Sequence, residues 1–179
     1  MIHNHDRSGW FGASDTAIIM GNWNTKTFER FWLEKLGVVT NTFTTPAMAA
    51  GTHYEHRILD ALGIKKRDRQ IKIRPLRLRV NLDGEDKNTI YEIKTHSKDF
   101  KLSQAYKYQC YVQMYASGKP VKLIAYRLIP DEDYINYFNP IEPDRIKVYD
   151  IEQNDEFLKE YISRIKFLSA CLQERRFPT

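Results

Sequence analysis

The stretch that most limits what this chain can become runs from Leu76 to Thr95. Leu76, Leu78, Val80 and Leu82 alternate with Arg77, Arg79, Asn81 and Asp83. A period of two is the mark of a half-buried strand. A polar turn through Gly84 to Asn88 can reverse the chain, and Ile90-Tyr91-Glu92-Ile93-Lys94-Thr95 then reads as a second strand. The apolar set of the first strand faces a core. Asp83 therefore lies on the opposite face, at the end of a basic strip made by Arg77 and Arg79. In the second strand Glu92 and Lys94 share a face, while Ile93 points inward. The hairpin returns Asp83 to the side of Glu92, so two carboxylates and one ammonium converge. Two carboxylates can hold a hard dication such as Mg2+, with Mn2+ able to substitute. A lysine beside them can orient or help activate a water for attack on a phosphate. The same D…ExK spacing also occurs in solvated surface hairpins, so it gains weight only from the rest of the chain.

The totals frame that chemistry. A length of 179 residues suits one domain, residues 1–179, with 1–11 as a loose N-terminal segment. Hydrophobic residues at 42% and charged residues at 28% describe a soluble globular chain of the cytoplasm. No apolar run reaches membrane-spanning length, and the polar start does not read as a signal peptide. Cys110 and Cys171 lack metal-type spacing and sit in apolar segments, which suits buried thiols and excludes a four-cysteine iron–sulfur cluster. The net charge of +5 permits a polyanionic partner without demanding one.

Taken in order, the chain alternates helical and extended segments. His3 and His5 read as part of the loose terminus. Ser14 reads as the cap of a helix stopped by Gly21, and a hydroxyl at a helix start can seat a phosphate. Thr25 or Thr27 opens a second helix with Phe28, Phe31, Trp32 and Leu36 as its stripe and Gly37 as its end. Thr45-Pro46 starts a third, which Gly63 stops; its apolar face reads Met48, Gly51, Glu55, Ile58, Leu59, Leu62. A carboxylate inside such a stripe needs a cation or a metal. His53 and His56 read as polar-face residues. Lys65 to Arg69 reads as a charged loop that can touch a phosphate backbone. After the hairpin, Ser103 to Ser117 reads as a helix with Gln109 and Gln113 on one face. Val121 to Ile129 reads as a strand buried on both faces, Asp131 to Pro143 as a further strand and turn, Arg145 to Tyr149 as a short strand, and Asn154 as the cap of a last helix. The outcome is an α/β fold: a mixed central β-sheet flanked by helices.

The ordered set Gly12-Ala13-Ser14-Asp15, Phe31 to Gly37, Gly51-Thr52-His53-Tyr54-Glu55, Leu82-Asp83-Gly84, Glu92-Ile93-Lys94-Thr95 and Tyr108 to Tyr115 resembles the YqaJ-type viral recombinase family, which includes the lambda phage exonuclease. That family belongs to the PD-(D/E)xK nucleases, so the resemblance implies a restriction-endonuclease-like core. It also implies the roles. Asp83, Glu92 and the Ile93 carbonyl would bind the metal, and Lys94 would be the catalytic lysine. Glu55 would serve a second metal, and Gln109 or Gln113 would complete the site. Ser14 and Arg7 would approach a terminal phosphate; Arg77 and Arg79 are candidates for backbone contacts. The expected activity is Mg2+-dependent digestion of duplex DNA from an end, 5′ to 3′, supplying single strands to an annealing protein. Two departures stand out. Leu82 occupies the place of the proline usual before the first acid, and the chain is shorter than many relatives, which bears on whether an oligomeric ring forms. Two other readings share the residues: an endonuclease on the same fold, and a DNA-binding or inhibitory module without catalysis.

Overall fold

In the computed structural model, residues 7–40 and 42–178 are described; His3 and His5 lie outside them. A 3-10 turn, Ala13–Asp15, leads into α1 (Thr16–Met20), followed by α2 (Lys26–Lys35) and α3 (Pro46–Ala61). Three strands come next: β1 (Lys66–Ile73), β2 (Leu78–Glu85) and β3 (Ile90–His96). Then follow α4 (Gln104–Ser117), β4 (Val121–Arg127), the short α5 (Pro130–Asp133), β5 (Ile146–Ile151) and α6 (Asp155–Gln173). Four helices start on side-chain caps, in which Thr25, Thr45, Ser103 and Asn154 accept from the amides of Phe28, Met48, Tyr106 and Phe157. No helix among the described residues is long and apolar enough to cross a membrane.

The strands form one sheet in the order β1-β2-β3-β4-β5, parallel between β3 and β4 and antiparallel elsewhere. The α/β architecture expected from the sequence, a mixed sheet flanked by helices, is the one observed. Two cores cover its faces. One gathers residues of α1, α2, α4 and α6 against Leu78, Val80, Leu82 and Leu123. The other sets Ala50, Tyr54, Ile58 and Leu59 of α3 against Ile93, Ile124 and Tyr126. Interior strand β4 feeds both layers in alternation, as its apolar run demands. Expulsion of this apolar surface from water is what holds the helices on the sheet.

Several local expectations are corrected. Lys66 to Arg69 belongs to a strand, not a loop. β1 is an edge strand, where charged side chains are tolerated and hinder pairing with other chains. Leu76 lies in a 3-10 turn before β2, and Arg77 takes a left-handed conformation there with φ 47°. Gly12, not Ser14, precedes the first helical turn, and its amide donates to Asp15 Oδ2 at 2.8 Å. Segment 131–143 forms helix α5 and turns instead of a strand. Its Asp133 is spent on the Ile129 amide, Asn139 and Arg145, which bend the chain locally. Met48 is exposed, and Tyr54 fills the place in the α3 core.

The feature that makes the site is a splay between β2 and β3. They pair only through Gly84 with Tyr91 and Glu85 with Ile90. Leu82 packs in the first core, yet a Cβ added to Gly84 would lie 2.5 Å from Leu59 Cδ2 in the second. Simple alternation would put residues 82 and 84 on one face. The chain therefore twists across the sheet at Asp83, and glycine is required next to it because any side chain would strike α3.

Candidate active site

Four elements bring the carboxylates and their partners together at that splay. β3 presents Glu92 and Lys94 toward α4, as the two-residue period dictates. Lys94 Nζ lies 2.6 Å from Glu92 Oε1 and donates to Gln109 Oε1 at 3.1 Å. Gln109 Nε2 donates to Glu92 Oε1 at 2.6 Å, and Gln113 Nε2 to Glu92 Oε2 at 2.5 Å. Both glutamines, one helical turn apart, therefore face the site. Asp83 Oδ2 accepts from the Ile93 amide at 2.8 Å, which fastens it to β3 where the ladder has opened. Glu55 comes from α3, in the opposite layer.

Electrostatics mark the cluster as strained by like charge. Burial, followed by the charges of Glu92 and Asp68, lifts Glu55 to about 7. Burial and the charges of Glu92 and Glu55 hold Asp83 well above the usual carboxylate range, against Lys94 and the Ile93 amide. Burial works against the Lys94 ammonium, but Glu92 and Asp83 outweigh it, so its affinity for a proton is raised. Lys94 is thus a fixed cation and donor at neutral pH. One ammonium faces three carboxylates, a balance that a dication would complete. The open acceptors fit: a carboxylate has about four lone-pair directions. The described residues use three on Glu92 and one on Asp83.

A cleft runs from Asp83 and Gln109 past Asn81 and Arg79 to Ser14, Trp10 and Arg7. The candidate phosphate contacts Ser14, Arg7 and Arg79 thus share one cleft with Asp83, behind which Gln109 holds Glu92. Arg77 does not line it; that side chain turns back to the Gly9 carbonyl at 3.3 Å. His56 pairs with Asp68 at 2.8 Å, and His53 stacks on Tyr137.

Sequence reasoning missed Asp15 and Lys35, which line the same cleft. Lys35 Nζ lies 2.5 Å from Asp15 Oδ2, with side chains only 2% and 8% exposed. The pair holds the Gly12–Asp15 turn that carries Ser14. The acid three residues after Gly12 was a readable capping signal. A lysine at a helix end reads as solvated, and only tertiary packing buries it. Lys35→Met leaves a buried carboxylate with only the Gly12 amide and an Arg7 guanidinium 4.0 Å away, and should cost about 3 kcal/mol in denaturant unfolding. Asp15→Asn combined with Lys35→Met should recover most of that loss.

No family model matches the chain, and no curated protein matches it in sequence. Solved structures do. An alkaline exonuclease (LHK-Exo) from Laribacter hongkongensis, also seen in complex with dAMP, superposes with TM-score 0.70 at 19% identity, over 94% of this chain and 90% of that one. A phage-related exonuclease from Haemophilus somnus 129PT superposes with TM-score 0.60 at 15% identity, over 93% and 96%. This chain has the fold of these exonucleases. The likeness extends over nearly the whole of both chains.

Proposed function

We propose that this chain is a divalent-cation-dependent DNA exonuclease, which digests duplex DNA from an end and attacks the 5′-terminated strand. The observation that carries this reading is the gathering of Glu92 and Lys94 beside Asp83, which itself lines a cleft bearing Arg7, Ser14 and Arg79. Asp83, Glu92 and the Ile93 carbonyl would hold Mg2+ or Mn2+, with Glu55 serving a second ion. Bound there, such ions supply Lewis-acid stabilisation of the attacking and leaving oxygens of a phosphodiester. Lys94, being protonated, orients the water and offsets the charge growing on the phosphate, and is not the base. Gln109 and Gln113 fix the rotamer of Glu92, which keeps its remaining lone pair aimed outward. Arg7, Ser14 and Arg79 would seat backbone or terminal phosphate without reading sequence. The dAMP held by the Laribacter hongkongensis neighbour is the kind of product an end-digesting nuclease releases. Single strands left behind would pass to an annealing protein.

The test is digestion of linear duplex labelled at either the 5′ or the 3′ end, beside a covalently closed circle, with Mg2+ and with EDTA. Early loss of the 5′ label, an intact circle and silence in EDTA is the expected pattern. A nicked circle would assign an endonuclease; binding with no product under any dication would assign a non-catalytic module.

A pH dependence follows from the crowded acids. Glu55 and Asp83 bind protons more tightly folded than unfolded, so without metal their contribution to stability is greatest at low pH and is lost as pH rises through about 7. Thermal midpoints in EDTA should therefore rise between pH 8 and pH 6. Cation binding must displace the proton on Glu55. Mg2+ affinity measured by calorimetry should weaken at least tenfold per pH unit below 7, with protons released from Glu55 and Asp83 as the ion binds. A pH-independent affinity would mean that neither Glu55 nor Asp83 gives up a proton to the ion.

A further inference from the structure

Glu55 and His56 are consecutive on α3, so their side chains leave the helix about 100° apart and need a third group from another element to enclose anything. That group is Asp68. Its φ of 59° places it in the left-handed region within β1, between Arg67, which pairs with Gly84, and Arg69, which pairs with Leu82. Its neighbour Arg67 ties β1 to α3, donating to the His56 carbonyl at 3.3 Å and pairing with Asp60 at 2.5 Å. The register of strand and helix is thereby set beside Asp68. One ligand atom from each of Glu55, His56 and Asp68 lies within 4.8 Å of the other two, and His56 Nε2 stands 2.8 Å from Asp68 Oδ2.

We propose that Glu55, His56 and Asp68 form a further metal site, flanking the Asp83–Glu92 centre, that takes a divalent transition metal in preference to Mg2+. Ligands at about 2.2 Å from an ion stand about 3 Å apart when adjacent and about 4.4 Å when opposite. The His56–Asp68 spacing falls in that range, and all three atoms lie within 4.8 Å of one another, so a modest side-chain adjustment brings them onto one ion. The donor set decides the metal. Mg2+ takes oxygen ligands and keeps its water, whereas imidazole nitrogen is a ligand for first-row transition metals. One imidazole with two carboxylates is a mixed set that suits Mn2+ or Zn2+, with water completing the shell. Glu55 would then link the two centres, and occupancy of the outer site would change how Glu55 serves the inner one. This consequence rests on the nuclease reading; the site itself does not.

The experiment is a Mn2+ titration of the whole chain without DNA, followed by pulsed electron paramagnetic resonance for nitrogen coupling. Wild-type protein should show an imidazole nitrogen on bound Mn2+. His56→Ala should lose that coupling and about one Mn2+ per chain, and Asp68→Asn should bind the same ion at least tenfold more weakly. Should His56→Ala melt below the measuring temperature, His56→Gln, which keeps the bulk without the imidazole, is measured in its place. Asp83→Asn should keep the coupling while losing digestion. No nitrogen coupling in wild type, coupling that survives in the His56 variants, or coupling lost in Asp83→Asn would overturn the site. Absence of digestion by wild-type protein would sink the nuclease reading and leave the nitrogen signal unaffected.

Discussion

Lys94→Ala should lower duplex digestion by roughly 10²–10⁴-fold, the range for removing a positioned proton-handling or charge-stabilising side chain. The geometry says why the effect falls on turnover and not on binding. Lys94 Nζ is held by Glu92 at 2.6 Å and Gln109 at 3.1 Å and lies 5.2 Å from the centre of the Tyr106 ring. It is anchored to Glu92 and Gln109 and does not line the cleft proposed to hold DNA. Its removal leaves Asp83, Glu92 and Glu55 facing one another without their lysine, so Mg2+ should bind at least as well as before. Single-turnover digestion should thus show a large fall in rate with substrate affinity within a few fold, and calorimetry should show retained Mg2+ binding. Lys94→Arg should not rescue the rate, because a planar fork cannot occupy the place of a compact ammonium. Wild-type turnover in Lys94→Ala would remove the residue from the mechanism.

Trp32→Ala should cost about 3–5 kcal/mol of stability, the range for truncating a buried aromatic. Trp32 is fully buried. It stacks on Phe11 at 6.2 Å and Phe28 at 6.0 Å, and its indole N–H donates to the Arg176 carbonyl at 3.1 Å. It therefore joins the N-terminal segment, α2 and the chain's end. Phe11 immediately precedes the Gly12–Asp15 turn, and its amide and carbonyl bond to Arg77 and Arg79. The loss should thus be felt at the cleft as well as in the core. Denaturant unfolding should show the fall in midpoint. At temperatures where the variant remains folded, affinity for DNA ends should weaken more than the Mg2+ dependence changes. An unaltered affinity would mean that the turn holds its shape without the tryptophan beneath it.

How much of this was legible in the residues follows their physics. Helix starts were readable where a hydroxyl or amide side chain serves its own backbone, as at Thr25, Thr45, Ser103 and Asn154. The strand pair around Asp83 and Glu92 was readable because alternation and a polar turn are local signals. Glu55 was visible as a carboxylate inside an apolar stripe. The charged stretch at Lys66 was not, because an edge strand can carry charge that a loop also carries. Lys35 and Asp15 were not, because each looks solvated until the other is placed beside it. His56 and Asp68 lie on different elements, and nothing in either segment points to the other.

The residues by themselves determined most element types, though not β1 at Lys66 or α5, and also the α/β class and the chemical kinds gathered in the hairpin: two acids and a lysine at strand spacing, with glutamines on one face of the next long helix. These follow from short-range periodicity and capping, which act over a few residues. Only the tertiary structure decided where they point. The opening of β2 from β3 beside Gly84, the arrival of Glu55 from the opposite layer, both glutamines on Glu92, and the buried pair beneath the Ser14 turn depend on contacts between residues far apart in sequence. Such contacts are set by how two apolar layers close on one twisted sheet, and no local pattern carries that information.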